Sequence, residues 1–249
     1  MTLFQTAAQM TGQPYNRQAA ILGDSITQHN TLNIDGSSSW NASTRYGNRY
    51  VAFGYASWLR FMTYVGFDLD GASNFGVVGD TLPMILARTD AALIASTAAT
   101  WFVMGGINDR GAAALTLQQS TDAMTAIVSK IIAAGRLAVI FIPMPCGDAN
   151  NTAARLSAVQ LRRHLSFRRW IMETYASMPG VEVVDTWRYF ADPNSTVGDA
   201  IIGLTYDGLH PSPAGAYFIA KAALPAINLL FPPRYGFLVA QNSDLYDAT

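Results

Sequence analysis

The stretch Ala19-Ala20-Ile21-Leu22-Gly23-Asp24-Ser25-Ile26-Thr27 decides the fold. Its apolar start has no polar interruption and reads as a strand covered on both faces, the kind found in parallel sheets. Gly23 and Asp24 end the run in a small-residue turn, and that turn holds up Ser25. A serine raised at the carboxyl end of a strand stands where open α/β sheets build their sites. It is a candidate nucleophile, and serine attacks well only beside a base, with a group to orient that base and donors for an oxyanion.

Outward from this stretch, strand-like runs alternate with segments of helical period. Strands are expected over 19–22, 67–72, 100–104, 137–142 and 181–185. A helix between the third and fourth strands places Met124, Ile127, Val128 and Ile131 on one face and stops at Gly135. A second, over about 153–177, is expected to bury Leu161, Leu165, Ile171 and Tyr175 and to turn Arg162, Arg163, Arg168 and Arg169 outward. A last helix starts after His210, with Ser212 as its N-cap and Pro213 as its first residue. This alternation predicts an α/β fold of one domain, a three-layer α/β/α sandwich around a mainly parallel sheet of about five strands.

Three further segments sit where a serine nucleophile needs partners. Asn74-Phe75-Gly76-Val77-Val78-Gly79-Asp80-Thr81 and Met104-Gly105-Gly106-Ile107-Asn108-Asp109 each end a strand-like run, and Tyr206-Asp207-Gly208-Leu209-His210-Pro211 carries an acid and a histidine three residues apart. Taken singly, each has a plain structural reading as a capped turn or a loop entering a helix. Of the three histidines, His210 alone has an acid close enough in sequence for one loop to present both. His164, among arginines, is expected to be solvated, and His29 to be a loop residue whose contact with substrate is incidental. Asp24, Asp80 and Asp109 are expected to accept backbone hydrogen bonds in turns.

In this order the four segments resemble the SGNH hydrolases, or GDSL esterases, over about residues 18–230, with Ile26 where that family often has leucine. The resemblance implies a flavodoxin-like sheet and a carboxylic ester hydrolase. It places the nucleophile at Ser25, the base at His210 and its orienter at Asp207, with oxyanion donors from Ser25, Gly79 and Asn108. The family's substrates include acetylated polysaccharides, lipids, thioesters and aryl esters.

Composition narrows the field further. The chain has 249 residues, 50% hydrophobic and 13% charged, enough for one large domain with a substantial core. Its formal net charge of -1 offers no basic field, so neither nucleic acid nor a membrane surface is an expected partner. The single cysteine, Cys146, rules out an intrachain disulfide and reads as a small residue at a strand end. There is no cluster with metal-ligand spacing, no phosphate-cradling glycine loop and no dinucleotide fingerprint, so no metal and no cofactor is expected.

The expected organisation is an N-terminal extension over 1–17, a catalytic domain over 18–231 and a tail or linker over 232–249. No leader-like or membrane-spanning run is visible, which suits a soluble protein, a longer exported precursor or part of a larger particle. Between Asn30 and Tyr55 runs a long polar loop whose Trp40, Tyr46, Tyr50 and Tyr55 are candidates for a substrate wall. Its composition points to short acyl groups, acetyl esters of carbohydrate foremost. Two readings stand beside that one: a lipase or thioesterase for longer chains, and a non-catalytic carbohydrate-binding or adhesin module on the same fold.

Overall fold

Strand β1 (Ala19–Gly23) is buried at all five positions, as an uninterrupted apolar run in a parallel sheet must be. The computed structural model describes residues 17–31, 54–63, 67, 73–110 and 115–231. Within them β1 pairs with β2 (Asn74–Gly76) on one side and β3 (Thr100–Met104) on the other, and β4 (Leu137–Phe141) and β5 (Val181–Val184) extend the sheet. The order is β2-β1-β3-β4-β5 and every pairing is parallel. This is the doubly wound order of flavodoxin-like sheets, which reverses direction beside β1 and opens a crevice there.

Successive strand residues point to opposite faces, so each strand feeds two cores. Ala19, Ile21, Phe102, Met104, Val139 and Phe141 face one layer. That layer is closed by α2 (Tyr55–Met62) and α7 (Pro213–Leu230), with Tyr55, Leu59, Ile219 and Ile227 buried against the sheet. Ala20, Leu22, Trp101, Val103, Ala138 and Ile140 face the other, under α3 (Leu82–Ala95), α4 (Leu117–Ala133) and α5 (Ala158–Tyr175). Two short helices, α1 (Ser25–Gln28) and α6 (Trp187–Phe190), sit at carboxyl ends of strands. Ile21 is fully buried between two neighbouring strands, where truncation to alanine costs about 2–5 kcal/mol.

The helix predicted from Met124, Ile127, Val128 and Ile131 buries all four residues, and Gly135 follows it with φ of 71°. Ser212 caps α7 by accepting from the Gly215 N–H, with Pro213 as the first helical residue. Three expectations are corrected. The second strand is Asn74–Gly76; of the expected 67–72, only Phe67 lies among the described residues, and it is a buried core side chain. Helix α5 starts at Ala158 behind a capping box of Ser157 and Gln160, after a separate 3-10 turn over Thr152–Ala154. Its apolar stripe runs through His164, Phe167, Ile171 and Tyr175, which repeat at three and four residues and share one face. Leu165 lies off that stripe and is exposed.

His164 is therefore not solvated. It is 4% exposed, with Nε2 2.9 Å from the Pro143 carbonyl and its ring 4.9 Å from that of Trp187. Burial, helped by the Arg110 charge, lowers its pKa to about 3, so it is a neutral core histidine. Of the four arginines beside it, Arg162 and Arg169 are exposed, while Arg163 and Arg168 are half-buried, Arg163 donating to the Leu115 carbonyl and Arg168 forming a two-point ion pair with Asp185.

Candidate active site

Gly23 ends β1 where no larger residue fits. A Cβ there would stand 2.1 Å from the Met104 carbonyl oxygen and 2.2 Å from Thr27 Oγ1. Asp24 then caps α1, its Oδ1 accepting from the Ile26 N–H at 3.0 Å, and the chain lifts Ser25 into the first turn. Both residues are buried, Asp24 completely and Ser25 to 3% exposure. Burial outweighs the Ile26 hydrogen bond and the Arg110 charge at Asp24, so its pKa rises to about 7.

Neighbouring elements pin this turn. Asn30 donates to the carbonyls of Ile26 and Thr27 and accepts from the Ala56 N–H at 2.7 Å, so the start of α2 is tied to the Ser25 turn. Asn74 reaches across from β2 to the carbonyls of Thr27 and Gln28. Arg88, on α3, donates to the carbonyls of Phe75 and Gly23 and to Asp80 Oδ2. Nothing in the sequence pattern singled Arg88 out beyond its being a cation on a largely apolar helix.

His210 arrives from the other end of the chain. Ser25 Oγ lies 2.9 Å from His210 Nε2, and His210 Nδ1 lies 2.7 Å from Asp207 Oδ2. The other Asp207 oxygen accepts from the N–H groups of Leu209 and His210 at 2.9 and 2.7 Å. Burial pulls the Asp207 carboxyl upward, but the hydrogen bonds from the His210 ring and these two N–H groups win and hold it below the ordinary aspartate range. The loop closes through a Thr205–Pro211 bridge. It is braced from the end of β4 by the Gly147 N–H on the Gly208 carbonyl at 2.7 Å and by Thr205 Oγ1 on Asp148.

Gly79 and Asn108 come together in one cleft of about 470 Å³ with Leu209, the residue before His210. Gly79 has φ of 79°, a conformation that suits glycine, and a Cβ there would meet nothing within 4 Å among the described residues. Its backbone is thus open to the cleft. One Asn108 amide hydrogen is taken by the Asp80 carbonyl at 3.0 Å, which fixes the side chain and leaves the second free to donate. Asp109 behind it caps α3 through the Leu82 N–H and accepts from Ser120 Oγ, the structural role expected of it.

Two expectations about the surroundings change. Tyr55 is not a wall of the cleft: it opens α2, is 1% exposed and packs on Phe141 with ring centroids 4.9 Å apart. An aromatic at the first turn of a helix over the sheet is drawn into the core by its large apolar area. Trp40, Tyr46 and Tyr50 lie outside the described residues. Cys146 is buried, and Arg110 Nη2 stands 2.6 Å from its sulfur; burial still pushes the thiol pKa up. His29 is the residue most underrated by sequence reasoning. Its ring centroid is 4.7 Å from that of His210, and its spacing of four from Ser25, one helical turn, was the signal.

Among the described residues no group of three or more His, Cys, Asp or Glu side chains could hold a metal, and no helix is long and apolar enough to cross a membrane.

Residues 21–217 match the family model described as the GDSL-like Lipase/Acylhydrolase family. No curated protein sequence matches the chain. Among solved structures, it is similar to a catalytic mutant of an acetylxylan esterase from Geobacillus stearothermophilus, at 19% identity and a TM-score of 0.60, over 86% of this chain and 95% of that one. A lipase/acylhydrolase from Enterococcus faecalis aligns at 16% identity and a TM-score of 0.60, over 88% and 99%. A GDSL-like lipase from Bacteroides thetaiotaomicron aligns at 13% and 0.57, over 92% and 98%. At these identities the likeness speaks for the fold.

Proposed function

The chain belongs to the GDSL-like lipase/acylhydrolase family, and from that premise we propose that it is a serine esterase acting through an acyl-enzyme on Ser25, with short acyl groups on carbohydrate as its substrate. The observation that carries the reading is the continuous run of contacts from Ser25 Oγ through both His210 nitrogens to Asp207 Oδ2. With Nδ1–H donating to Asp207, Nε2 keeps its lone pair for the serine proton.

In the first half-reaction Ser25 Oγ bonds to the ester carbonyl carbon while Nε2 takes the hydroxyl proton and the carbonyl π pair moves onto oxygen. The N–H groups of Ser25 and Gly79 and the free hydrogen of the Asn108 amide receive that oxyanion. Collapse breaks the bond to the alcohol, which leaves with the proton from Nε2. Water then adds to the acyl-enzyme by the same route, passing its proton to His210, and Ser25 departs with that proton as the acid is released. Asp207 stays ionised throughout, as its lowered pKa requires.

The mixed lining of the cleft supports a polar alcohol. Thr81, Arg110, Arg155 and Gln160 alternate there with Met84, Ile107, Leu156 and Leu209, whereas a long alkyl chain is best served by an unbroken apolar wall. The acetylxylan esterase among the structural relatives has the same fold and accords with this choice. The test is a series of chromogenic esters from acetate to octanoate. Acetate should be turned over fastest, because methylenes beyond a short pocket stay in water and forgo about 0.8 kcal/mol each. Rates climbing steadily to octanoate would replace this substrate class with that of a lipase or thioesterase. Absence of turnover on every ester, with carbohydrate binding retained, would favour the binding-module reading.

A further inference from the structure

The hydrogen bonds that hold His210 act in the plane of its ring, one at each nitrogen. They leave the ring able to tip about the line joining those nitrogens. Packing around the pair is incomplete, the side chains of His210 and Asp207 being 18% and 42% exposed. Tipping matters: a base displaced by about 1 Å can cost on the order of 100-fold in rate. Contacts to the ring itself must therefore supply the missing restraint, and two are present. His29 lies 4.7 Å away, tilted by 38°, and Tyr206 lies 5.6 Å away, stacked at 15°.

We propose that His29 and Tyr206 are positioning residues that hold the His210 imidazole in line with Ser25, an inference that rests on the esterase reading above. His29 is well placed for this because its own backbone belongs to the nucleophile turn, its N–H donating to the carbonyls of Ser25 and Thr27. Any shift of that turn carries His29 with it, so the base is referenced to the nucleophile. Its Nδ1 is buried without a hydrogen-bond partner among the described residues, so that edge of the ring is wedged into protein.

Charge is consistent with the role. The groups acting on His29 are His210 and Asp207; burial first, then His210, lowers its pKa to about 4. It is an uncharged ring at neutral pH and does not repel the imidazolium that forms on His210 during turnover. Burial and the Asp207 charge raise the Tyr206 pKa, so it too stays neutral. His210 thus has Ser25 and Asp207 at its nitrogens and His29 and Tyr206 against its ring.

The experiment measures kcat, KM and pH profiles on a small aryl acetate for His29→Ala, His29→Phe, His29→Lys and Tyr206→Ala, with Ser25→Ala alongside. His29→Ala should lower kcat about 10-fold and leave KM within about twofold, since only alignment is lost. His29→Phe should recover most of that loss, because a ring is restored without its nitrogens. Tyr206→Ala should lose about threefold by the same argument, its contact being longer. His29→Lys should move the acid limb of kcat/KM down by about one pH unit, as a cation beside His210 disfavours its protonation.

Wild-type kcat in His29→Ala would overturn the inference. So would equal losses in the Ala and Phe variants, which would make a His29 nitrogen a substrate contact instead, or an acid limb unmoved by lysine. If His29→Ala fails to fold, the Phe and Lys variants still decide. Activity surviving in Ser25→Ala would bring down the esterase reading itself; a dead Ser25→Ala beside unchanged His29 and Tyr206 variants would bring down only this inference.

Discussion

The Ser25 turn and the His210 loop meet at one hydrogen bond but are held in opposite ways. Gly23, Asp24 and Ser25 are buried at the end of a strand, with Arg88 donating to the Gly23 carbonyl and Asn30 and Asn74 to the carbonyls of the helical turn that follows. The His210 loop lies nearer the surface, and its order comes from its own hydrogen bonds, three of them on Asp207, with braces to Gly147 and Asp148. Their carboxylates titrate in opposite directions for that reason. Burial raises Asp24 to about 7, whereas hydrogen bonds lower Asp207 despite its partial burial. A turn set by the whole sheet should be costly to alter in stability, and a self-contained loop costly chiefly in activity.

Ser25→Ala gives the sharpest break between chemistry and folding. It should lower kcat by at least about 10⁴-fold with little change in a thermal melt, since it removes one hydroxyl. More than a few per cent of wild-type turnover in a purified variant would remove Ser25 as nucleophile. Asp207→Asn comes next, at about 10³- to 10⁴-fold in kcat, because an amide NH2 facing Nδ1 turns the imidazole to the wrong tautomer. A loss below tenfold would mean that another group orients His210.

Asn108→Ala should cost about 10²- to 10³-fold in kcat with KM nearly constant. A rise in KM at constant kcat would instead mark Asn108 as a ground-state contact.

The smallest effects are in the pH dependence of the melting temperature, and they carry opposite signs. A carboxyl whose folded pKa is raised adds stability below its unfolded value near 3.8, and that contribution is lost as pH rises through 7. Asp24→Asn should therefore gain on wild type between pH 5 and pH 8. Asp207 has a lowered folded pKa, so its contribution is present above the ordinary aspartate value and lost in acid. Asp207→Asn should lose ground to wild type at neutral pH and regain it as the pH drops toward 3. Parallel curves for the two variants would refute the contrast between the two regions.

Much of the architecture was legible because it depends on local pattern. Uninterrupted apolar runs marked β1, β3 and β4, a valine-rich run marked β5, and helix caps such as Ser212 act within one turn of the residues they serve. Reading failed where the deciding partner was remote. Asn74-Phe75-Gly76 is a short, half-buried edge strand with a weak apolar signature, and it exists because β1 offers it a pairing edge. The stripe of α5 was misread because arginines mask it and because a buried histidine needs the Pro143 carbonyl, 21 residues away. Tyr55 reads as a loop aromatic until α2 and the sheet enclose it.

Local pattern marked Ser25 after an apolar strand and placed an Asp and a His in one loop, whereas Gly79 and Asn108 stood out only through the resemblance of four segments in order. A strand end, a tight turn or a helix cap is specified within a few residues, and so can be read there. That Ser25 and His210, 185 residues apart, meet at 2.9 Å, and that His29 and Tyr206 close on the same imidazole, was settled by the tertiary structure. Those contacts arise from the packing of separate elements around one parallel sheet, and no local pattern encodes them.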